Sequence, residues 1–343
     1  MAPALTALGS KRGEFVIAPV PVFSPFFGGG LVVIAAYVFQ FDRSDTVSRP
    51  STIGALAART TSGTRGGIIG GQLYFHENKY QVTGLVGNGK IVGDFFGIGR
   101  IPGSERLSAR IEGKGTFVFV EGMRNFGHNI FAGPRYQFRS LSFRYERTRP
   151  PGAFEIPPID LKTRSAALGF HIQRDTRDST FYPRKGALGN ITANFFTQAL
   201  GSNRTYQTYQ VTYDGYKSLD KKTVFAYRGL VCGADADTPF YDLCFFGGTD
   251  LRGYTTGRFQ DRRMVVTQAE IRRELKWRLG VVGFAGVGGV ANRFEEFRFD
   301  RLLPAAGVGL RILLNKKHNI NYRIDWGIGR EGSSFTIGIS EAF

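Results

Sequence analysis

The sequence is poor in the residues that most often build active sites and metal centres. Its 343 residues include only four histidines and two cysteines. His76, His128, His171 and His318 are not spaced as metal ligands, and neither cysteine stands beside a candidate base. The Gly-x-Ser-x-Gly motif of esterases is also absent. We therefore predict that the protein is not an enzyme and has no metal site and no cofactor.

The chain also lacks a stretch that could cross a membrane as a helix. Residues Phe15 to Phe41 carry no charge and are long enough to span a bilayer. Three prolines and a run of glycines interrupt them, which favours two strands at about 15–22 and 31–41. Met1 to Gly13 lack the charged and apolar regions of a signal peptide. We interpret residues 1–14 as an N-terminal extension or an expression remnant.

Negative charge is scarce relative to positive charge, and the formal net charge is +17. In a soluble protein this excess would suggest nucleic acid or an anionic surface as a partner. The cations do not form a block, however, and recur singly inside alternating segments, as Arg272, Arg311 and Arg323 do. Two interpretations stay open: solvated faces and loop tips, or a lumen or rim that is electropositive toward lipid phosphates or other anions.

Glycine, aromatic residues and strict alternation are abundant. The chain has 46 Gly, 31 Phe and 14 Tyr, while its hydrophobic fraction is only 42%. Between Asn319 and Trp326 one face carries Ile, Tyr, Ile and Trp, and the other carries Asn, Asn, Arg and Asp. An amphipathic helix does not produce this period of two, whereas a strand between lipid and water does.

About sixteen segments alternate in this way, and no linker or soluble domain separates them. A spanning strand needs roughly 9–11 residues, so the chain is long enough for all of them. Lipid also demands an even strand number and a closed edge. The sequence thus predicts an all-β fold, a transmembrane antiparallel β-barrel of about 16 strands over residues 15–343. The predicted strands are 15–22, 31–41, 51–61, 66–76, 79–94, 106–122, 128–148, 162–175, 186–199, 204–219, 221–232, 262–275, 279–291, 303–314, 317–328 and 333–343.

The alternation changes phase within one segment, near residues 135–147. Tyr136 and Phe138 stand at even positions, whereas Leu141, Phe143 and Tyr145 stand at odd positions. A β-bulge adds one residue to a strand and would account for this change. We therefore predict a bulge there.

One loop between two alternating segments contains an unusual cation. The loop reads Phe245-Phe246-Gly247-Gly248-Thr249-Asp250-Leu251-Arg252-Gly253-Tyr254, with Arg252 between a leucine and a glycine. Just before it, Cys232 and Cys244 bracket a short, Asp-rich segment. A disulfide between them is expected in an oxidising compartment, and two free thiols are the alternative.

Four motifs, in this order along the chain, resemble those of a known family. They are residues 173–179 running into 181–186, the Leu251-Arg252-Gly253-Tyr254 loop, residues 321–326, and a last alternating segment that ends in Phe343. A C-terminal aromatic residue on the final strand is typical of bacterial outer-membrane barrels. Together the motifs resemble the BamA/TamA superfamily of outer-membrane proteins, the bacterial surface antigen family.

The resemblance implies that a long extracellular loop folds back into the barrel lumen. In the family, an arginine at the loop tip meets acidic residues of the inner wall. Arg252 matches that arginine and Glu270 matches its partner, and the alternation independently places Glu270 on the polar face. Such a pair would lock the loop in place. Gly286 stands where a second acid is usual, so we expect Arg252 to have one carboxylate partner rather than two. A disulfide at the start of this loop, matching Cys232 and Cys244, also occurs in some relatives.

The resemblance also implies a function, the insertion or translocation of protein or lipid at the bacterial outer membrane. In relatives the first and last strands pair weakly and can part laterally, and the small residues from Gly332 to Ser334 fit a weak closure. The candidate residues for barrel closure and for a C-terminal signal are Phe335, Ile337, Gly338 and Phe343. Expected partners are outer-membrane lipids, protein or lipid cargo, and an accessory periplasmic protein.

Family members that insert or secrete proteins usually carry POTRA modules before the barrel, whereas the first strand here begins near Phe15. We interpret the chain as a barrel-only member, or as the barrel of a longer protein such as a patatin-linked member. Alternative functions are a passive, anion-favouring pore and the membrane anchor of a patatin-like passenger domain. A soluble protein that binds nucleic acid is disfavoured, because no helices are predicted to cover the apolar strand faces.

Overall fold

The computed structural model describes residues 8–10, 13–42, 45, 47–99, 108–149, 161–246, 248–315 and 319–343. Within these residues, sixteen long strands join edge to edge, each antiparallel to its neighbours. In chain order they are β1 Gly13–Ser24, β2 Gly28–Phe39, β3 Ser51–Thr60, β4 Arg65–Phe75, β5 Tyr80–Phe95, β6 Ser108–Asn125, β7 Ile130–Arg149, β8 Leu161–Asp175, β9 Gly186–Phe196, β10 Tyr206–Ser218, β11 Thr223–Ala234, β12 Arg263–Glu274, β13 Leu279–Ala291, β14 Leu303–Asn315, β15 Ile320–Gly329 and β16 Gly332–Ile339.

The sheet closes into a barrel because β16 pairs with β1. The predicted antiparallel β-barrel of sixteen strands is therefore confirmed. Of residues 1–14, interpreted above as an extension, Leu8–Ser10 pair with the start of β1, which itself begins at Gly13. Residues 1–7 and 11–12 lie outside the described residues. Among the residues described, no helix is long and apolar enough to cross a membrane.

The outward face of the barrel is apolar, as alternation predicts. On β8, the outward side chains Leu168, Phe170 and Ile172 are 51%, 42% and 39% exposed. Of the two inward positions between them, one is Gly169 and the other is the polar His171, whose Nδ1 lies 3.1 Å from Glu121 Oε2. Lipid in contact with one face and polar groups on the other is the arrangement of a membrane barrel.

The loop between β11 and β12, residues 235–262, lies inside the barrel. It contains a single helical turn, Phe240–Asp242, and a small hairpin of Cys244–Phe246 with Phe259–Asp261. Arg139 of β7 donates two hydrogen bonds of 2.6 Å to the carboxylate of Asp242. The main apolar core lies between this loop and the wall, and its residues are Leu230, Ala234, Leu243, Cys244, Phe246, Leu251, Tyr254, Phe259, Met264, Val266, Leu303 and Ala305.

The phase change in β7 has a different cause from the predicted bulge. Pairing with β6 is unbroken from Arg135 to Tyr145, and the irregularity lies beyond Tyr145, at the end of the strand. A bulge is thus present within the predicted range 135–147, but it lies after Tyr145 and does not cause the change of phase between Phe138 and Leu141. Phe143 faces inward instead, and its ring centroid lies 5.1 Å from that of Phe240 and 5.2 Å from that of Tyr241. The apolar residues change side because the loop offers an apolar surface inside the barrel.

Candidate functional site

Arg252 lies inside the barrel and is only 2% exposed. Its guanidinium forms ion pairs with Glu270 of β12 and with Asp325 of β15, where Nη1 and Oδ2 are 3.1 Å apart. The Arg252 Nε and backbone N–H both donate to Gln268 Oε1 at 3.3 Å. The guanidinium also lies over the ring of Phe284, 3.7 Å from its centroid. Two carboxylates and an aromatic face thus compensate a fully buried charge.

The expectation of a single carboxylate partner for Arg252 is wrong, because Asp325 supplies the second one. Gly286 has a packing role instead. A Cβ at position 286 would lie 3.0 Å from Leu251 Cδ1 and 2.7 Å from the Thr267 carbonyl oxygen. The missing side chain leaves room for Leu251, which is fully buried. The second carboxylate that faces Arg252 thus comes from β15 and not from β13.

Glu270 and Asp325 also bind further arginines. Arg272 Nε lies 2.5 Å from Glu270 Oε1, and Arg311 Nη1 lies 2.6 Å from Asp325 Oδ1. Arg311 Nε lies 2.7 Å from Glu341 Oε2. Four guanidinium groups thus share three carboxylates, for a formal charge of +1. We call this group the ionic cluster: Arg252, Arg272, Arg311, Arg323, Glu270, Asp325 and Glu341.

Gly253 allows the loop to approach the wall closely. Its φ is +123°, which favours glycine, and its N–H donates to Ser334 Oγ of β16 at 3.0 Å. A Cβ at this position would lie 2.9 Å from the Ile328 carbonyl oxygen of β15. The loop tip therefore rests directly on the last two strands.

Tyr254 fixes the other side of the loop tip. Its hydroxyl donates to the Pro304 carbonyl oxygen of β14 at 2.7 Å and accepts from the Arg330 N–H at 3.1 Å. A Cβ at Gly329 would lie 2.5 Å from the Tyr254 ring, so that glycine makes room for the ring. Together with Arg252 and Gly253, this residue ties the loop to the wall from β12 to β16.

Cys232 of β11 and Cys244 of the loop hairpin form a disulfide, with their Cα atoms 5.8 Å apart. The bond joins the start of the loop to the wall strand from which it emerges. Among the described residues, the loop is therefore attached covalently at its start and through the ionic cluster at its tip. Further ion pairs attach it at other points, namely Arg139 with Asp242, Arg228 with Asp250 and Arg258 with Glu331.

The C-terminal residues depart from the predicted alternation. The last strand ends at Ile339, and Ser340 has a φ of +65°, so the chain turns inward. Glu341 thereby reaches the ionic cluster. The Phe343 carbonyl oxygen accepts from Arg272 Nη2 at 2.7 Å, and the Phe343 ring lies 5.0 Å from the Arg228 guanidinium. The prediction that Phe343 ends the last alternating strand is wrong.

The seam between the first and last strands is narrow. Among the described residues, β16 pairs in register with β1 at one position, Ile337 with Phe23. The rings of Phe335 and Phe23 lie 5.7 Å apart beside it. Gly338 faces inward, where a Cβ would lie 3.2 Å from Arg323 Nη2. Three of the four predicted closure residues thus lie on β16, whereas Phe343 lies beyond it.

Sequence reasoning missed Asp325 and Glu341 as cluster members. Asp325 stood on the polar face of the clearest alternating segment, so a rule that flags every inward acid would have found it. Glu341 had no such signal, because alternation places it outward and only the turn at Ser340 brings it inside.

Comparison with known proteins identifies the family. The Omp85 superfamily domain matches residues 159–343, more than half of the chain. This chain belongs to the Omp85 superfamily. The resemblance inferred from the four motifs is therefore confirmed, and the match includes the loop, the ionic cluster and the last strand. No protein with a curated function matches the chain in sequence.

Solved structures show the same barrel. BamA from Haemophilus ducreyi lacking POTRA domains 1–3 aligns with a TM-score of 0.63 at 15% identity, covering 96% of this chain and 70% of that one. CdiB from Acinetobacter baumannii aligns with a TM-score of 0.62 at 13% identity, covering 96% of this chain and 60% of that one. CdiB from Escherichia coli aligns with a TM-score of 0.60 at 10% identity, covering 98% of this chain and 64% of that one. This Omp85 chain thus spans between 60% and 70% of the length of those proteins.

Proposed function

We propose that this Omp85 barrel resides in the bacterial outer membrane and inserts or translocates protein there, by opening between β1 and β16. Membership of the superfamily and the apolar outward face support the location. The observation that carries the mechanism is the seam. β16 pairs with β1 at one position, whereas it pairs with β15 over eight residues and β1 pairs with β2 over twelve.

A seam of this kind costs little to open. Each strand-to-strand hydrogen bond contributes roughly 0.5–1.5 kcal/mol, so one paired position holds the edges far less firmly than a full ladder. Pro19 and Pro21 of β1 have no N–H to donate, which further limits the ladder that β1 can form. Parted edges would expose unpaired backbone groups, which are a template for an incoming strand.

The ionic cluster determines which side of the seam stays fixed. The loop tip is bound to β12 and β15 through Arg252 and to β16 through Gly253. Glu341, just after β16, is bound to Arg311 of β14. We infer that the last strands behave as one rigid unit and that β1 moves away from them.

Reconstitution into vesicles tests this function. We expect vesicles that contain the folded protein to accelerate the membrane folding of a urea-unfolded, eight-stranded outer-membrane barrel, relative to vesicles that contain the heat-unfolded protein. The gel mobility difference between folded and unfolded client measures the rate. Unchanged client folding, together with a large, steady, anion-selective current across a planar bilayer, would instead support the passive pore.

A further inference from the structure

A row of five cations and one serine crosses the outer surface of the barrel near the rim that carries the 235–262 loop. Its members are direct cross-strand partners on six successive strands, β3 to β8. We call this row the basic rung, and from β3 to β8 it consists of Arg59, Arg65, Lys90, Lys114, Ser142 and Lys162.

The composition of this face changes in steps toward the middle of the membrane. Two residues from the basic rung toward the middle of the membrane, the same face carries a polar row. From β4 to β8, this row consists of Gly67, Asn88, Thr116, Ser140 and Arg164. Two residues further again it carries an apolar row, Ile69, Val86, Val118, Phe138 and Ala166. Of these, Ile69 and Val86 are 64% and 47% exposed, as lipid-facing residues are, whereas Ala166 at the β8 end of the row is buried.

The spacing matches a membrane interface. Four residues of a strand cover about 13 Å, or about 10 Å along the membrane normal at the usual tilt of barrel strands. The basic rung therefore lies about 10 Å beyond the apolar row, at the depth of lipid headgroups.

The basic rung is electrostatically unfavourable without a counter-anion. Like charges directly opposite each other on neighbouring strands repel. Here each cation lies opposite the next one along the row Arg59, Arg65, Lys90 and Lys114. Glu112 compensates two of them, since its carboxylate oxygens lie 2.8 Å from the Nζ atoms of Lys90 and Lys114.

The remaining cations of the rung have no such compensation. In the part of the chain that the structure describes, Arg59, Arg65 and Lys162 form no ion pair. Among the described residues, the five cations of the basic rung thus face one carboxylate, that of Glu112.

Four of these five cations line a groove of about 1070 Å³. Arg65, Lys90, Lys114 and Lys162 border it on the rim side, and hydroxyl and amide groups of the polar row border it on the membrane side. Asn203, on the loop after β9, also lines the groove, and its N–H donates to the Arg164 carbonyl oxygen at 2.9 Å. Cations with nearby hydrogen-bond donors are the groups that recognise phosphate.

We propose that this groove binds the phosphorylated headgroup of a lipid in the leaflet at the loop rim. The acyl chains lie along the apolar row, the phosphate lies against the basic rung, and the polar row donates hydrogen bonds to the ester and hydroxyl oxygens between them. The inference rests on the membrane location proposed above, but not on the insertion activity.

Fluorescence quenching tests the site. Phe138→Trp, in a Trp277→Phe/Trp326→Phe background, places the reporter in the apolar row just below the groove. In vesicles, we expect acyl-brominated phosphatidic acid to quench it at lower mole fraction than acyl-brominated phosphatidylcholine. Neutralising Arg65→Gln and Lys162→Gln should weaken this preference by about fivefold for each cation removed. Inorganic phosphate at the same concentration should leave the preference intact.

Two further variants exclude a general loss of structure. Glu112→Gln removes the acid among the cations, so the preference for phosphatidic acid should rise, which misfolding would not produce. Arg174→Gln neutralises an exposed cation on the outward face of β8 at the opposite rim, and the preference should not change.

The outcomes separate the two proposals. Equal quenching by both lipids, or loss of the preference in the presence of inorganic phosphate, would overturn the headgroup site while leaving the membrane location intact. Absence of quenching by either lipid would overturn the membrane location and the headgroup site with it.

Discussion

Arg252 shows how a buried charge can organise a loop. The two carboxylates that it pairs with lie on β12 and β15, which are distant from each other in sequence. Its position over Phe284 adds a cation–π contact. A buried ion pair contributes little compared with an apolar replacement of the same shape, but breaking it by removing one partner is costly. The cluster therefore specifies where the loop lies more than it adds to overall stability.

Replacing Arg252 with alanine should destabilise the barrel by about 3–5 kcal/mol, because Glu270 and Asp325 would lose a buried partner. Guanidinium unfolding in detergent micelles measures the change, and the loss of heat resistance on a semi-native gel reports it qualitatively. Arg298→Ala is the matched control. Its pair with Asp300 is exposed at 3.4 Å, so the loss should be at most about 1 kcal/mol. Equal losses in the two variants would contradict the role given to Arg252.

Gly286→Ala should cost about 1–3 kcal/mol, because the added methyl group would meet Leu251 and the Thr267 carbonyl group. Gly283→Ala, on the outward face of the same strand, has open space around the new Cβ and serves as the control. The difference between the two unfolding free energies isolates the packing effect from strand propensity. If Gly286→Ala left the free energy of unfolding unchanged, steric crowding would not explain why position 286 carries no acidic side chain.

The sequence predicts a contact partner where the alternation and a family motif agree. It does not predict a partner that closure of the barrel brings close. Glu270 follows the loop closely in sequence and lies on a predictable polar face. Asp325 is 73 residues from Arg252, so their contact depends on how all the intervening strands curve. The alternation likewise does not predict the turn at Ser340. The positive φ of this residue is what turns the side chains that follow it from the outward to the inward face.

At the level of elements, period-two alternation was sufficient to predict the sixteen strands. It works because lipid and the lumen impose opposite polarity on alternate side chains of every strand. The rule fails where the interior is itself apolar. β7 is the example, since Phe143 packs beneath Phe240 and Tyr241.

The disulfide and the ionic cluster should hold different parts of the loop. Cys232→Ser/Cys244→Ser should loosen the segment that the bond closes, which Arg139 then holds at Asp242, at a cost of about 2–4 kcal/mol. Limited chymotrypsin digestion followed by mass spectrometry should then show new cleavage after Phe240 or Tyr241. Tyr254 should stay protected, because the ionic cluster still holds the tip. Simultaneous cleavage after Tyr254 would mean that the two attachments form a single unit.

On the scale of the whole molecule, the barrel divides into a braced side and a weakly closed edge. The loop, the ionic cluster and the C-terminal residues connect β12 through β16. β1 is bound to β2 by a full ladder and to β16 by one registered pair. The sequence could suggest this weak edge from its glycines, serines and prolines, but not its extent, because the register between the chain ends is set only when the ring closes.

The most direct test of this account is a disulfide across the seam. Phe23→Cys/Ile337→Cys joins the one registered pair, and Val33→Cys/Ala57→Cys joins a pair within the full ladder of β2 and β3. The measurement is the rate at which each oxidised variant, in vesicles, promotes client barrel folding, before and after reduction. Wild type treated with the same reductant corrects for the native disulfide. We predict that the seam bond abolishes the acceleration, that reduction restores it, and that the control bond has no effect. Full activity with the seam closed would contradict the account.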